Sequence, residues 1–270
     1  MKALYNLHTH SFYSDGSLSP EEVVARAKGA RLRGLALTDH DSVGGLGEAA
    51  GAAATLGLQF IRGVELTTFR HGSEVHILGY FSRISPELER DVRELRRQSE
   101  AWVLATADGI RSKAGLAYDR AELAGLARGE GILRFHLALH YVNRGYSLSP
   151  SAATLRFLAE NSPYYIPRDD FQPDDAVALI HRRGGLAVVA HPGAIRSPAA
   201  LEAALASGVD GIECHYWRHD PARRKEYVRL ARARGLLVTG GGDFHSDEYG
   251  EIRDGVPDEE DFRRLQAAVG

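Results

Sequence analysis

A pair of histidines near the N-terminus, followed by a carboxylate, constrains this chain more than any other feature. His8 and His10 end the short apolar segment 4–7, which is typical of a buried strand. Side chains alternate between the two faces of a strand, so His8 and His10 point the same way. Asp15 follows in a loop closed by Gly16, from which its carboxylate can turn back to the same cavity. The pattern predicts the first wall of a metal site with nitrogen and oxygen ligands.

The composition narrows the classes of protein and metal site. Cys214 is the single cysteine, which excludes an internal disulfide and a thiolate cluster, so the ligands must be imidazoles and carboxylates. A chain of 270 residues with 44% hydrophobic content can form one large α/β domain, or one domain with an insert. A net charge of −3 gives no global attraction to nucleic acid.

Location and partners follow from what the sequence lacks. It contains no apolar run long enough for a membrane span and no secretory signal, so we expect a cytoplasmic protein. The arginines between residues 90 and 97 alternate with acidic residues, which predicts a solvated helix face and not a nucleic-acid site. Nothing in the sequence indicates a membrane contact or an obligate protein partner.

Short apolar strands alternate with helices over most of the chain, but not in its middle. Strands are expected at 35–38, 59–69, 75–81, 186–190, 209–213 and 236–239. The strand signals stop between residues 86 and 162, where four helices are expected instead, at 87–115, 119–126, 135–144 and 150–160. We therefore predict an α/β barrel from residues 1–85 and 163–270, interrupted by a small helical insert domain at 86–162 that covers the active site.

Nearly every predicted strand ends on a histidine or an acidic residue. These residues are His8, His10, His40, Glu65, His76, His191, Asp243 and His245. Because active sites of parallel α/β folds gather at the carboxyl ends of the strands, we expect these side chains to meet. Glu65 lies inside an apolar run, where a carboxylate without a cation would be costly to bury. Together they predict a metal site with several ions at one face of a barrel-like sheet.

Seven motifs in this order resemble those of the PHP family, the polymerase-and-histidinol-phosphatase domain. They are Leu7-His-Thr-His-Ser11, Ser14-Asp-Gly16, Leu37-Thr-Asp-His-Asp41, Gly63-Val-Glu65, Val75-His-Ile-Leu-Gly79, Ala190-His-Pro-Gly193 and Gly242-Asp-Phe-His245. The chain looks most similar to stand-alone bacterial phosphoesterases that act on nucleoside 3′,5′-bisphosphates and on short RNA 5′ ends. Those proteins also carry a helical insert, with an Arg-x-His that resembles Arg134-Phe-His136. Two segments depart from the family pattern, Gly193–Arg196 and Cys214–Trp217.

The resemblance implies a fold and a ligand set. The fold is a distorted (β/α)7 TIM-like barrel that holds two to three divalent ions, Mn²⁺, Fe²⁺ or Zn²⁺. The implied ligands are His8, His10, Glu65 and Asp243 for the first ion, Glu65, His76 and His191 for the second, and Asp15, His40 and His245 for the third. Asp15, His191 and Asp243 are also predicted to be catalytic. Asp41, next to His40, is expected to orient that ring as a hydrogen-bond acceptor.

The implied reaction is phosphomonoester hydrolysis by metal-activated hydroxide. The expected substrate is the 3′-phosphate of a nucleoside 3′,5′-bisphosphate, and short RNA attacked from its 5′ end. Arg134, Arg196 and His215 are candidates to hold a phosphate or protonate the leaving oxygen, and His136 could add a donor. Packing is the alternative for His136 and His140, which share a helix face. The other functions that fit are a histidinol-phosphate phosphatase and a non-catalytic metal-binding module.

Overall fold

The seven strands of the sheet lie side by side in the same order as in the sequence. The computed structural model describes residues 4–128, 130–256 and 258–270. The strands are β1 Tyr5–Asn6, β2 Gly34–Leu37, β3 Gln59–Arg70, β4 Ser73–Phe81, β5 Leu186–Val189, β6 Gly211–Tyr216 and β7 Leu237–Gly241. The backbone N–H of Leu7 donates to the carbonyl of Gly240 at 3.0 Å, and Thr9 forms a parallel bridge with Phe244. The last strand therefore lies beside the first, and the sheet is a nearly closed barrel, as predicted.

One strand runs against the others. β4 is antiparallel to both β3 and β5, whereas the remaining neighbours in the sheet pair in parallel. Two of the predicted ligands do not lie at the carboxyl end of their strand: His76 is near the beginning of β4, and Glu65 is in the middle of β3. Because β4 is reversed, its beginning lies at the same rim as the ends of the parallel strands. His76 pairs there with Thr67.

Helices surround the barrel, and most of them connect one strand to the next along the chain. They are α1 Pro20–Gly29, α2 Leu46–Leu56, α7 Pro173–Arg182, α8 Pro198–Ala206, α9 Pro221–Ala233 and α10 Glu259–Val269. α1 shows how the sequence defines its start: the Ser19 hydroxyl accepts from the backbone N–H of Glu22, and the Glu22 carboxylate accepts from that of Ser19. Apolar faces of α1 and α2 pack on β2 through Val23, Leu35 and Ala49.

The segment between β4 and α7 is helical. It contains α3 Pro86–Ala114, α4 Arg120–Leu126, α5 Arg134–Asn143 and α6 Pro150–Ala153, which continues as a π-helical turn, Thr154–Leu158. These helices bury a hydrophobic cluster of their own around Val103, Leu123, Leu137, Tyr141 and Phe157. The first turns of α3 pack on the barrel core instead, through Leu88 and Val92. Within the described residues no helix is both long and apolar enough to cross a membrane.

Candidate metal centre

The predicted ligands meet at one rim of the barrel in three overlapping groups. The groups are His8, His10, Glu65 and Asp243; His10, Asp15, His40 and His245; and His40, Glu65 and His76. Within each group, the candidate ligand atoms all lie within 4.8 Å of one another. Shared members join the groups, so the three form one continuous site and not three separate ones. His191 lies against the third group, with its Nε2 3.3 Å from Nδ1 of His76.

Glu65 is at the centre of the site. Its Oε2 lies 3.1 Å from His8 Nε2, 3.3 Å from His10 Nε2 and 3.2 Å from His40 Nδ1. Its Oε1 lies 2.8 Å from His76 Nδ1 and 3.0 Å from His191 Nε2. Burial alone would raise the pKa of Glu65, but the surrounding imidazoles, His40 first among them, hold it well below its ordinary value. The carboxylate is therefore ionised, and each oxygen faces a different side of the site.

Two further carboxylates, those of Asp243 and Asp15, line the site. Asp243 Oδ1 lies 3.2 Å from His10 Nε2 and 3.4 Å from His8 Nε2, on the side of the site where Glu65 Oε2 also lies. Asp15 lies 3.2 Å from His245 Nε2, in the loop closed by Gly16. Each acidic residue thus faces at least one imidazole nitrogen across a gap that a divalent cation could occupy.

Two of the ligands have strained backbones. His191 has a φ of 27° and Asp243 a φ of 49°, values that side-chain-bearing residues seldom adopt. Such conformations persist only where the surroundings hold them, and they concentrate at functional sites. The backbone N–H of His191 donates to Glu213 Oε2 at 2.7 Å. These backbone conformations occur two residues after the ends of β5 and β7, at the rim where the ligands lie.

Several residues support the ligands, and two of them, Glu213 and Tyr216, lie outside the sequence motifs. Glu213 Oε1 accepts from His8 Nδ1 at 3.0 Å, and Asp39 accepts from the backbone of Ser11 at 2.7 Å. The hydroxyl of Tyr216 donates to Asp243 Oδ2 at 3.2 Å. The sequence contains a signal for Glu213, because it is a lone carboxylate in an apolar strand, which is the argument that singles out Glu65. These contacts orient the ligand side chains for metal binding.

Asp41 does not orient His40, contrary to the prediction. Its Oδ1 accepts from the backbone N–H of Thr67 at 3.0 Å, and its Oδ2 accepts from the hydroxyl of Ser99 at 3.1 Å. The carbonyl of His40 instead accepts from the guanidinium of Arg96 at 2.6 Å. Asp41 and Arg96 thus fix α3 to the loop that carries His40.

The candidate phosphate-binding residues of the insert lie close to the ligands. Arg134, the first residue of α5, forms an ion pair with Glu74, whose other oxygen accepts from His76 Nε2 at 2.7 Å. His136 Nδ1 accepts from the backbone N–H of Leu133 at 2.9 Å. Burial, together with Arg96, lowers the pKa of His136 to about 4, so this ring is neutral and carries its proton on Nε2.

His140 has a packing role, and the two other candidates, Arg196 and His215, lie outside the helical segment. His140 Nε2 accepts from the backbone of Asp119 at 3.3 Å, inside the helical segment. Arg196 is exposed in the turn before α8 and forms no ion pair within the described part of the chain. His215 follows a bulge in β6 and pairs with Gly240. Burial, together with the charge of Arg224, lowers the pKa of His215 to about 4, and its role in phosphate binding stays a prediction.

The donor set fits divalent cations. Among the residues described, four atoms of the site are buried without a hydrogen-bond partner: His10 Nε2, Asp15 Oδ1, His40 Nδ1 and His191 Nδ1. Buried polar atoms are normally paired, because leaving one unpaired costs about 1–3 kcal/mol. Imidazoles with carboxylates are ligands that Mn²⁺, Fe²⁺ and Zn²⁺ all accept. A cation bound between these groups would satisfy the unpaired atoms and neutralise the buried carboxylates.

Comparisons with known proteins agree with this fold. A model of the PHP domain family matches residues 6–180. The chain is 33% identical over 262 residues to a 3′,5′-nucleoside bisphosphate phosphatase from Chromobacterium violaceum, covering 91% of this chain and 88% of that one. A 5′-3′ exoribonuclease from Haemophilus influenzae is 33% identical, with 91% of both chains covered. A phosphoribosyl 1,2-cyclic phosphate 1,2-diphosphodiesterase from Eggerthella lenta is 31% identical, with 92% of this chain and 95% of that one covered.

Solved structures show the same architecture. A Bifidobacterium adolescentis protein described as a candidate metal-dependent phosphoesterase superimposes with a TM-score of 0.86 at 25% identity, covering 98% of this chain and 96% of the other. An amidohydrolase from C. violaceum, with bound sulfate and no metal, gives a TM-score of 0.84 at 31% identity, with 98% and 97% covered. The chain belongs to the PHP family and is a metal-dependent phosphoesterase.

Proposed function

We propose that this protein hydrolyses the 3′-phosphate of nucleoside 3′,5′-bisphosphates and releases the 5′-nucleotide. The observation that carries the proposal is the position of the Arg134 guanidinium beside the metal centre. Arg134 pairs with Glu74, and Glu74 contacts the ligand His76, which in turn contacts Glu65. One phosphate can lie among the metal ligands while a second reaches the guanidinium. The names of the similar proteins from C. violaceum and H. influenzae support a nucleotide substrate.

The site would hold two to three divalent ions, Mn²⁺, Fe²⁺ or Zn²⁺, in the three ligand groups. When bound, such ions lower the pKa of water towards neutrality and neutralise phosphate oxygens. Glu65 would hold two of the groups together, because its two oxygens face different imidazoles. Asp15, His191 and Asp243 have catalytic roles in this proposal, since each lies within 3.2 Å of another ligand of the site.

The substrate-binding roles belong to residues from both sides of the site. Arg134 presents a planar fork that can hold two oxygens of one phosphate, and the substrate phosphate would replace Glu74 as its partner. His136 supplies a neutral Nε2–H donor from the same end of α5. Arg196, exposed beside the strained turn of His191, is a second cation for the phosphate oxygens. The helical segment 86–162 would thus cover the site and bind the part of the substrate that does not react.

The proposal extends to the 5′ end of short RNA. In a 5′-phosphorylated RNA, the first nucleotide also carries a 5′-phosphate and a phosphorus atom on its 3′-oxygen. Cleavage of the bond between that oxygen and phosphorus releases a 5′-nucleotide in both cases. A protein that binds the 5′-phosphate through Arg134 would therefore accept a bisphosphate or a short oligoribonucleotide. The 5′-phosphate, and not the length of the chain, would decide binding.

A comparison of three phosphate esters tests the proposal. Manganese-loaded protein is assayed with adenosine 3′,5′-bisphosphate, adenosine 3′-monophosphate and histidinol phosphate. We expect kcat/KM to be highest for the bisphosphate, by roughly 10- to 150-fold over the 3′-monophosphate, because only the bisphosphate engages Arg134. Preference for histidinol phosphate would assign the protein to that reaction. Absence of hydrolysis of all three esters would indicate a non-catalytic metal-binding module.

A further inference from the structure

Three residues at the edge of the metal centre form a stack that the roles above do not use. Trp217 and Arg218 follow β6, and Tyr249 lies in the loop after β7. The Arg218 guanidinium lies 4.5 Å from the centre of the Trp217 ring and 5.1 Å from that of Tyr249. The two rings meet edge to face at 5.8 Å. We call Trp217, Arg218 and Tyr249 the aromatic rim.

The rim is fixed against the metal ligands. The Tyr249 ring meets the ring of His245 edge to face at 4.9 Å, and the backbone N–H of His245 donates to the Tyr249 carbonyl at 2.9 Å. The next residue, Gly250, has a φ of 88°, and a Cβ there would lie 2.1 Å from the carbonyl oxygen of Asp243. On the other side, Tyr216 contacts Asp243 through its hydroxyl and directly precedes Trp217. The rim therefore touches one ligand directly, through Tyr249, and directly follows a residue that touches another, through Trp217.

Two polar groups of the rim have no partner among the residues described. Arg218 is exposed and forms no ion pair with any described residue, although three other exposed arginines near helix ends do. The Trp217 Nε1 atom is buried and has no hydrogen-bond partner among the residues described. An exposed guanidinium that lies close to two aromatic rings is a group on which a nucleobase can stack.

We propose that the aromatic rim binds the base of the nucleotide by stacking, without selecting among bases. This inference rests on the proposed function, since it requires a nucleotide whose phosphate lies in the metal centre. A ribose separates that phosphate from the base, and the rim lies beside the metal centre, because Tyr249 contacts the ring of His245 and Trp217 directly follows Tyr216. Stacking is tolerant of sequence because every base has an aromatic face. One residue of the rim, Trp217, belongs to the segment Cys214–Trp217 that departs from the family pattern.

A matched pair of ligands isolates the base. Adenosine 5′-monophosphate and ribose 5-phosphate carry the same phosphate on the same sugar, and they differ in the base. Binding of each to manganese-loaded protein is measured by calorimetry. We expect the wild type to bind adenosine 5′-monophosphate roughly tenfold or more tightly than ribose 5-phosphate, the advantage typical of one stacked base. Cytidine 5′-monophosphate should show a similar advantage.

Two variants and a control test the residues. Trp217→Leu and Arg218→Gln should each remove most of the difference in affinity between adenosine 5′-monophosphate and ribose 5-phosphate. Any change in the affinity for phosphate cancels in this comparison, because both ligands carry a phosphate. Arg218→Gln alters an exposed side chain, so it remains informative if Trp217→Leu does not fold. The control is Arg111→Gln, which removes an exposed arginine that lies over Tyr118 at 5.7 Å, far along α3. The control should keep the full advantage.

The outcomes separate this inference from the proposed function. Equal binding of the two ligands by the wild type would contradict base binding by the rim. The same conclusion would follow if both rim variants kept the full preference for adenosine 5′-monophosphate over ribose 5-phosphate. If the base advantage depends on the rim but adenosine 3′,5′-bisphosphate is not hydrolysed, the rim is supported and the proposed reaction is wrong. If the bisphosphate is hydrolysed efficiently but the base advantage is absent, the reaction stands and the rim does not bind the base.

Discussion

Glu213 holds two parts of the metal centre at once, through His8 and His191. Its Oε1 accepts from His8 Nδ1 at 3.0 Å, and its Oε2 accepts from the backbone N–H of His191 at 2.7 Å. The carboxylate is fully buried and its partner His8 is as well. The first contact leaves His8 Nε2 facing Glu65 and Asp243, while the second supports a strained backbone. A single side chain thus orients one ligand and stabilises the turn that carries another.

Replacement of Glu213 by glutamine should therefore weaken metal binding. An amide retains one acceptor but presents an N–H₂ donor where two N–H groups already donate, so one contact must be lost. We expect the metal content of Glu213→Gln after dialysis to fall, with an affinity loss of about 10- to 100-fold, the range typical of partners that orient metal-bound histidines. Inductively coupled plasma mass spectrometry measures the content, and circular dichroism checks the fold.

Glu202→Gln provides the control for this variant. Glu202 lies on α8, has a side chain that is 66% exposed, and pairs only with Arg234 within the described chain. Its replacement removes the same charge without touching a ligand. Metal contents that decline equally in both variants would show that Glu213 has no special role in orienting His8 and His191.

Removal of the metal should cost both activity and stability. Chelation should abolish phosphatase activity, and manganese is the ion expected to restore it. Because the site brings buried carboxylates and unpaired imidazole nitrogens together, a bound ion should also raise the melting temperature. Binding at 100 times Kd contributes about 2.7 kcal/mol to the free energy of unfolding. Full activity of chelator-treated, metal-free protein would contradict the assignment of the site.

Glu65→Gln should have the largest effect of any single change in the site. Its two oxygens face two ligand groups, so loss of the charge should empty both together, and activity should fall by more than about 100-fold, the upper range for residues that only support ligands. His71→Asn is the control. His71 lies in the β3–β4 turn at a φ of 51°, which asparagine tolerates. Loss of one ion alone in Glu65→Gln would argue against a bridging carboxylate.

The barrel and the ligand residues could be predicted because their signals are local. Apolar runs define the strands, and the alternation of side chains places His8 and His10 on one face. The direction of β4 is harder to predict, although His71 and Gly72, both with positive φ, form the two-residue turn that joins antiparallel strands. Sequence patterns gave two extended segments there without their relative direction.

The supporting contacts could not be predicted, because they join distant parts of the chain. Glu213 and His8 are 205 positions apart, and Arg134 and Glu74 are 60 apart. No spacing rule connects such residues, and their contacts depend on the closed barrel and on how the helical segment packs against it. The same holds for Asp41, whose neighbour in sequence, His40, is not its partner in space.

The ion pair between Arg134 and Glu74 leads to the last prediction, which concerns the second phosphate of the substrate. The guanidinium also lies over the Trp102 ring at 5.4 Å, so it is held near His76 before any substrate binds. We expect Arg134→Ala to lower kcat/KM for adenosine 3′,5′-bisphosphate by roughly 10- to 150-fold, corresponding to about 1.5–3 kcal/mol for one charged contact, and to change the value for adenosine 3′-monophosphate far less.

Arg144→Ala is the matched control, because Arg144 follows the other end of α5, is 41% exposed and pairs with Glu122. It should leave the preference for the bisphosphate intact. Metal content should stay at the wild-type level in both variants, since neither arginine contacts a ligand directly. If Arg134→Ala lowers kcat/KM for the two nucleotides by the same factor, Arg134 does not bind the 5′-phosphate, and the exposed Arg196 becomes the next residue to replace.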